Sequence, residues 1–364
     1  MELIKVSDYV IHEVEKVVDD IFLIPGGGCI HLVDSIHKSN LNPIFNLHEQ
    51  SASICAESYA QYKNNLGVIL VTTGPGSTNA LTGVVSAWLD SIPILIIAGQ
   101  VQMKHSSRGK KLRQFGFQEI DSTKIYNSIT KKSIYIQKPE EIPEKIKEAI
   151  YLANHGRKGP VLVEIPLDIQ GSFINLDICK NYEPKQNKEI IPKGFKDFIQ
   201  EFYNSKRPII LAGNGIRLSD SIEAFDLLIR NLNIPVLTTW KFADFIDEED
   251  PLFAGRPGAI ASRGANFNQQ LSDFIIIIGA RLDLGQLAYE HKFFCPNAKK
   301  VVVEIDESEI NKLDFLVDFK FNLNAKTFMN EFLKYSKTHS NKKWLDECKK
   351  RYKNYPVIQK NLIY

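Results

Sequence analysis

Short, mostly apolar runs of four to six residues alternate with amphipathic stretches along most of this chain. In the first half the runs are Ile21–Ile24, Pro43–Leu47, Val68–Thr72, Ile94–Gly99, Ser133–Ile136 and Val161–Ile165. In the second they are Pro208–Ala212, Pro235–Thr239, Phe274–Gly279 and Val301–Ile305. Strands that are apolar throughout have no wet face, so they belong in sheets covered on both sides. The stretches between them have helical periodicity. Ala52, Cys55, Tyr59 and Tyr62 fall on one face, as do Ile142, Ile146, Ala149, Ile150 and Ala153, and likewise Ile222, Phe225, Ile229 and Leu232. Pro139, Glu140 and Glu141 suit the first turn of the second of these helices. The expected fold class is therefore α/β, with two doubly wound parallel-sheet domains.

The domain boundaries follow from composition. Residues 1–170 read as the first domain. Residues 171–194 are polar and aperiodic, contain Pro184 and Pro192, and read as a linker. Residues 195–335 read as a Rossmann-like second domain, and 336–364 as a lysine-rich tail in which Trp344 to Tyr352 suits one helix.

A net charge of +2 gives no field for nucleic acid or an acidic membrane, and paired lysines such as Lys110–Lys111 read as solvated faces. No stretch approaches the roughly 18 apolar residues of a membrane span, and the N-terminus is too acidic for a signal peptide. These features imply a cytoplasmic protein. The five cysteines are scattered with no C-x-x-C pair, so neither a zinc site nor a disulfide framework is indicated. Cys29 and Cys55 read as small core residues.

Three loops follow strands of the first sheet. They are Pro25-Gly26-Gly27-Gly28, Asn46-Leu47-His48-Glu49-Gln50, and Thr73-Gly74-Pro75-Gly76-Ser77-Thr78-Asn79. Ligands of open α/β sheets bind beyond the carboxyl ends of strands, so the three loops should gather on one edge. Glu49 alone has two readings, as a functional carboxylate or as an acid complementing a helix dipole. Glycines let backbone come close to a ligand or simply make a turn, and Ser77 or Thr78 suits a helix cap.

Taken in order, His48-Glu49-Gln50, Ala56-Glu57-Ser58-Tyr59-Ala60 and Thr72-Thr73-Gly74-Pro75-Gly76-Ser77-Thr78-Asn79 resemble the pyrimidine-binding domain of thiamine-diphosphate enzymes of the acetolactate synthase type. Ile97-Ala98-Gly99-Gln100-Val101, Phe117-Gln118-Glu119, Gly159 to Pro166, Gly279-Ala280-Arg281 and Val303-Glu304-Ile305-Asp306 extend the resemblance over nearly the whole chain.

The resemblance implies thiamine diphosphate as cofactor and a 2-keto acid such as pyruvate as substrate. Glu49 would hydrogen-bond the aminopyrimidine and so activate the cofactor, which requires a carboxyl shielded from water yet able to share a proton. Pro75, Gly76 and Asn79 would lie against the pyrimidine, with Gly26 and Gly27 lining the reacting centre. Phe117 and Gln118 would form the substrate pocket, reaching it from a neighbouring subunit, although Phe117 also suits plain packing. The resemblance admits FAD in the second domain, with Arg281 as a contact. Arg281 equally suits a local ion pair with Asp283, and Gly213-Asn214-Gly215 alone is a weak dinucleotide signal.

Two features depart from the family pattern. Lys104 to Gln114 forms a basic segment next to the expected pocket, suited to an acidic acceptor such as a nucleotide-linked keto-sugar or to a solvated loop. No Gly-Asp-Gly occurs, although the family holds magnesium and the diphosphate on a further domain with that motif. The chain contains no metal site of its own by this reading. A truncated or split carboligase, a homo-oligomer with or without a separate diphosphate-binding subunit, is the leading expectation. A non-catalytic fragment or regulatory subunit and a dinucleotide-binding protein are the alternatives.

Overall fold

A computed structural model describes residues 3–184, 189–339 and 341–356. The chain divides into two compact units, residues 1–186 and 187–364. As expected, the strands of each main sheet all run parallel; each sheet has six, two more in the second unit than the four apolar runs implied.

The strands of the first unit are β1 (Leu3–Lys5), β2 (Asp20–Leu23), β3 (Asn42–Phe45), β4 (Gly67–Val71), β5 (Ile94–Gln100), β6 (Lys132–Tyr135), β7 (Val161–Pro166) and β8 (Phe173–Asn175). The main sheet has the order β3-β2-β4-β5-β7-β6. The central strands β4, β5 and β7 are buried at every residue, which is why they read as continuous apolar runs. Leaving the edge strand β3, the chain passes over β2 to reach β4. The direction of winding therefore reverses between β2 and β4, and a crevice opens there at the carboxyl ends. β1 and β8 pair antiparallel in a separate two-stranded ribbon. The expected linker thus starts too early, because residues 173–175 belong to the first unit. Three residues are too few to show alternation.

The helix Glu49–Lys63 also departs from expectation. Its buried face is Glu49, Ala52, Ser53, Ala56, Glu57 and Ala60. Tyr62 is 89% exposed and Cys55 is only half-buried. The cause is close packing. A Cβ on Gly67 of β4 would lie 2.1 Å from the Ala56 carbonyl oxygen, and one on Gly83 would lie 2.4 Å from Ser53 Oγ. Only small side chains fit between this helix and its neighbours, so Ile54 and Tyr62 are turned outward, while Tyr59 packs at the core's edge against Phe22. Helix Ile142–Asn154 buries Ile142, Ile146, Ala149 and Ala153, as its periodicity implies.

The second unit contains β9 (Pro208–Ala212), β10 (Val236–Thr238), β11 (Phe253–Gly255), β12 (Phe274–Ile278), β13 (Lys299–Glu304) and β14 (Phe319–Asn322), in the order β11-β10-β9-β12-β13-β14. One side of its sheet is covered by a phenylalanine cluster that includes Phe195, Phe198, Phe202, Phe274, Phe328 and Phe332. The lysine-rich stretch is not a loose tail throughout. Helix Lys342–Asn354 buries Trp344, Leu345 and Cys348, and Trp344 Nε1 donates to the Pro208 carbonyl at 2.9 Å. The second body therefore runs past residue 335. Among the described residues no helix is long and apolar enough to cross a membrane.

Candidate active site at the carboxyl edge of the first sheet

The three loops meet at the crevice between β2 and β4. After β3, the Asn46 amide donates to the Leu23 carbonyl at 3.0 Å, which carries the chain alongside β2 before the helix starts. His48 caps that helix, its Nδ1 accepting from the Gln50 amide at 3.1 Å. Glu49, the first helical residue, is only 9% exposed. Its Oε2 accepts a 3.0 Å hydrogen bond from Asn79 Nδ2, and its Oε1 lies 3.6 Å from where a Cβ on Gly76 would stand. The carboxylate is thus shielded and held at one oxygen, with the other turned toward the glycine loop.

That loop is shaped by Gly74, whose φ of +61° and ψ of −112° belong to glycine. A Cβ there would also fall 1.9 Å from the Gln118 carbonyl oxygen. Pro75 opens the short helix Pro75–Asn79. Neither Ser77 nor Thr78 caps it, contrary to expectation. Ser77 lies inside the helix and its hydroxyl donates back to the Gly74 carbonyl at 2.9 Å. Thr73 Oγ1 is buried and makes no hydrogen bond among the described residues.

Gly26 and Gly27 stand on the opposite side of the crevice for different reasons. A Cβ on Gly26 would lie 2.5 Å from Thr72 Cβ, so the chain's own packing requires that glycine. A Cβ on Gly27 would meet nothing within 4 Å, and Gly27 is not in the left-handed region. Packing gives no reason for a glycine there, and the space it leaves is open. A shielded carboxylate beside a backbone cradle fits a flat heterocycle bearing an amino group and ring nitrogens.

Phe117 and Gln118 are both exposed, Phe117 by 81%. Gln118 has a φ of 55°, and its carbonyl packs beneath Gly74. Two buried carboxylates fix the segment that carries them. Glu119 accepts from Ser106 Oγ at 2.8 Å and from the amides of Ser107, Phe115 and Gly116 at 2.5, 3.1 and 3.1 Å. Burial opposes its charge, but these bonds hold the carboxyl below its usual range. Glu164, on β7, is fully buried and accepts from Gln100 Nε2 at 3.0 Å and from Arg108 at 3.2 Å. Arg108 also reaches Asp121 at 2.7 Å and lies 3.9 Å over the Tyr135 ring. Burial pushes the Glu164 carboxyl up to about 7, against its bonds to Ser122 and Gln100 and the charge of Arg108.

Sequence reasoning missed this network. The signal was present as a single acid in the apolar run Val161-Leu162-Val163-Glu164-Ile165, which requires a buried partner. Within the basic segment, Arg108 is committed to the chain's own acids Asp121 and Glu164.

Arg281 lies in the second unit, apart from the other expected site residues in sequence, and pairs with Asp283 at 3.2 Å. The amides of Gly213 and Gly215 are taken up by the chain's own carbonyls, that of Gly213 donating to Ile278 at 2.9 Å. The Gly215 amide donates to the Gly279 carbonyl at 3.0 Å, and a Cβ on Gly213 would lie 2.2 Å from that oxygen. These glycines serve a backbone crossing at the reversal between β9 and β12. Among the described residues, no group of three or more His, Cys, Asp or Glu is placed to hold a metal ion.

Two family models match the chain. Residues 4–125 match the N-terminal TPP binding domain of thiamine pyrophosphate enzymes, and residues 195–332 match their central domain. Among similar proteins, a probable acetolactate synthase large subunit of Methanococcus aeolicus is 37% identical over 88% of this chain and 53% of its own length. The acetolactate synthase large subunit of Lactococcus lactis is 34% identical over 81% of this chain and 51% of its own. The isozyme 2 large subunit of Escherichia coli is 30% identical over 84% and 55%. The chain spans about half the length of these relatives. Its two matched domains, together with the shielded glutamate facing a glycine cradle, show that it belongs to the thiamine pyrophosphate enzyme family, in the acetolactate synthase-like group.

Proposed function

We propose that the chain supplies the pyrimidine-binding side of a thiamine-diphosphate carboligase that joins 2-keto acids such as pyruvate. The observation that carries this reading is the shielded Glu49 carboxylate, held by Asn79 and turned toward the glycine loop at Gly76. Glu49 would share a proton with a pyrimidine ring nitrogen, and Asn79 would keep that carboxylate from turning away. Pro75 and Gly76 would bound one face of the ring, and Gly26 and Gly27 the reacting side. Phe117 and Gln118, set by Glu119 and Arg108, would offer an apolar wall and an amide to the keto acid. When bound, the cofactor supplies the electron sink for the carbon–carbon chemistry.

Magnesium and the diphosphate call for oxygen ligands, which we place outside these two units. Flavin binding would rest on Arg281 and the loop from Gly255 to Asn268, and the absorbance spectrum of the purified protein decides it.

The first test is the native mass and subunit content of the protein from its own source, followed by acetolactate formation from pyruvate with thiamine diphosphate and magnesium. Activity in a complete assembly supports the reading. A complete assembly that binds no thiamine diphosphate overturns it in favour of a non-catalytic subunit.

A further inference from the structure

The turn that carries Gly27 is held by two side chains distant in sequence. Thr72 Oγ1, at the end of β4, accepts from the Gly28 amide at 3.1 Å. Gln170 Nε2 donates to the Gly28 carbonyl at 2.8 Å and to the Ile165 carbonyl at 2.7 Å. Both polar groups of Gly28 are thus taken up by side chains, one from β4 and one from the short helix Leu167–Gly171 that follows β7.

Gln170 is fully buried, and its Oε1 makes no hydrogen bond among the described residues. Its amide is therefore oriented by what its nitrogen donates to. The Gly28 carbonyl can come this close because Gly99 has no Cβ, which would stand 2.1 Å from that oxygen. Thr72 also reaches the other loop, its Cγ2 lying 2.7 Å from where a Cβ on Gly76 would be. One side chain therefore spaces the Gly26–Gly28 turn from the loop beside Glu49.

Peptide planarity gives this a direction. In a trans peptide the N–H and C=O point opposite ways. With the Gly28 amide drawn toward Thr72, the Gly27 carbonyl in the same peptide must point away from β4.

We propose that Thr72 and Gln170 are positioning residues that jointly fix the peptide planes on either side of Gly28, and so set the backbone that Gly27 presents to the crevice. The clamp itself stands on the geometry alone. Its consequence for turnover rests on the carboligase reading above.

The test uses the full chain and its isosteric variants Thr72→Val and Gln170→Met, with Thr72→Ser as the conservative control. Amide hydrogen exchange is followed in peptides covering residues 24–30. Exchange there should rise about tenfold in Thr72→Val and in Gln170→Met, the size expected for one lost buried hydrogen bond. Peptides of β4, β5 and β7 should keep their protection, and Thr72→Ser should match the wild type. Unchanged exchange at 24–30, loss of protection spread across the three strands, or Thr72→Ser behaving as Thr72→Val would each overturn the clamp.

In an assembly that turns over keto acid, both isosteric variants should lower kcat about tenfold with KM within about twofold, as expected of groups that act by orientation. Unchanged kcat alongside raised exchange would overturn the catalytic consequence while leaving the clamp. Normal turnover by Glu49→Gln would instead mark failure of the functional reading.

Discussion

Asn79 Nδ2 and Glu49 Oε2 stand 3.0 Å apart, joining the head of one helix to the end of another. The amide can donate to the carboxylate whether or not Glu49 shares its own proton elsewhere, so Asn79 orients Glu49 without competing for that proton. Glu49→Gln keeps the shape and removes the acid. In the complete enzyme its turnover should fall by about 10² to 10⁴, the usual worth of a positioned acid–base group. Its melting temperature should stay within a few degrees of wild type. Steady-state kinetics beside a thermal melt measures both, and near-normal turnover would contradict the assignment of Glu49.

Gly27→Ala separates ligand space from packing space. The new methyl group meets nothing in the chain, so stability should change by less than about 1 kcal/mol and can rise, since alanine restricts the unfolded chain. Thiamine diphosphate affinity or turnover should still drop at least tenfold. Gly28→Ala is the contrast, because its Cβ would lie 2.0 Å from Thr73 Oγ1 and should destabilise the fold itself. Calorimetry with and without thiamine diphosphate distinguishes the two variants.

Glu164 should make the first unit less stable as pH rises. Its folded pKa, about 7, lies above the unfolded value near 4.3. The folded state therefore keeps a proton that the unfolded state has already lost. That stabilisation is complete below the unfolded pKa and disappears as pH climbs through 7, with a ceiling of about 4 kcal/mol. Glu164→Gln stays neutral throughout. Any constant offset from its changed bonds to Arg108 and Gln100 is independent of pH, so the slope carries the test. Between pH 5 and pH 8, urea unfolding should show the variant gaining on wild type by about 2–3 kcal/mol. Parallel pH profiles would refute this.

Gly213→Ala should destabilise the second unit by about 2–3 kcal/mol or more, because its Cβ would be driven into the backbone oxygen of Gly279, which has no soft side chain to yield. The loss should appear in thermal melts with or without added FAD. A variant as stable as wild type would show that the β9–β12 crossing is looser than described.

The strands legible in the sequence were those buried on both faces, such as Val68–Val71 and Phe274–Ile278, where every residue is apolar. Short strands without an apolar run around them escaped notice: β1, β8 and β11 have three residues each and β14 has four that include Lys320 and Asn322. The face of helix Glu49–Lys63 was misread because periodicity weighs large apolar residues, whereas this helix buries alanines and two glutamates. At the site, Glu49, Asn79 and the glycine loops were legible because their order along the chain is distinctive. Arg108 and Glu164 were not, because 56 residues separate them and only the fold brings their charges together.

Glu119 ties Ser106 and Ser107 on one limb of its segment to Phe115 and Gly116 on the other. Residues 109–114 therefore hang outside a closed knot, with both ends anchored to one carboxylate. Such an excursion can lengthen, shorten or change its charge over evolutionary time while Phe117 and Gln118 stay where they are. The segment has the makings of an exchangeable cassette, through which related enzymes could diversify the mouth of the pocket without rebuilding its floor.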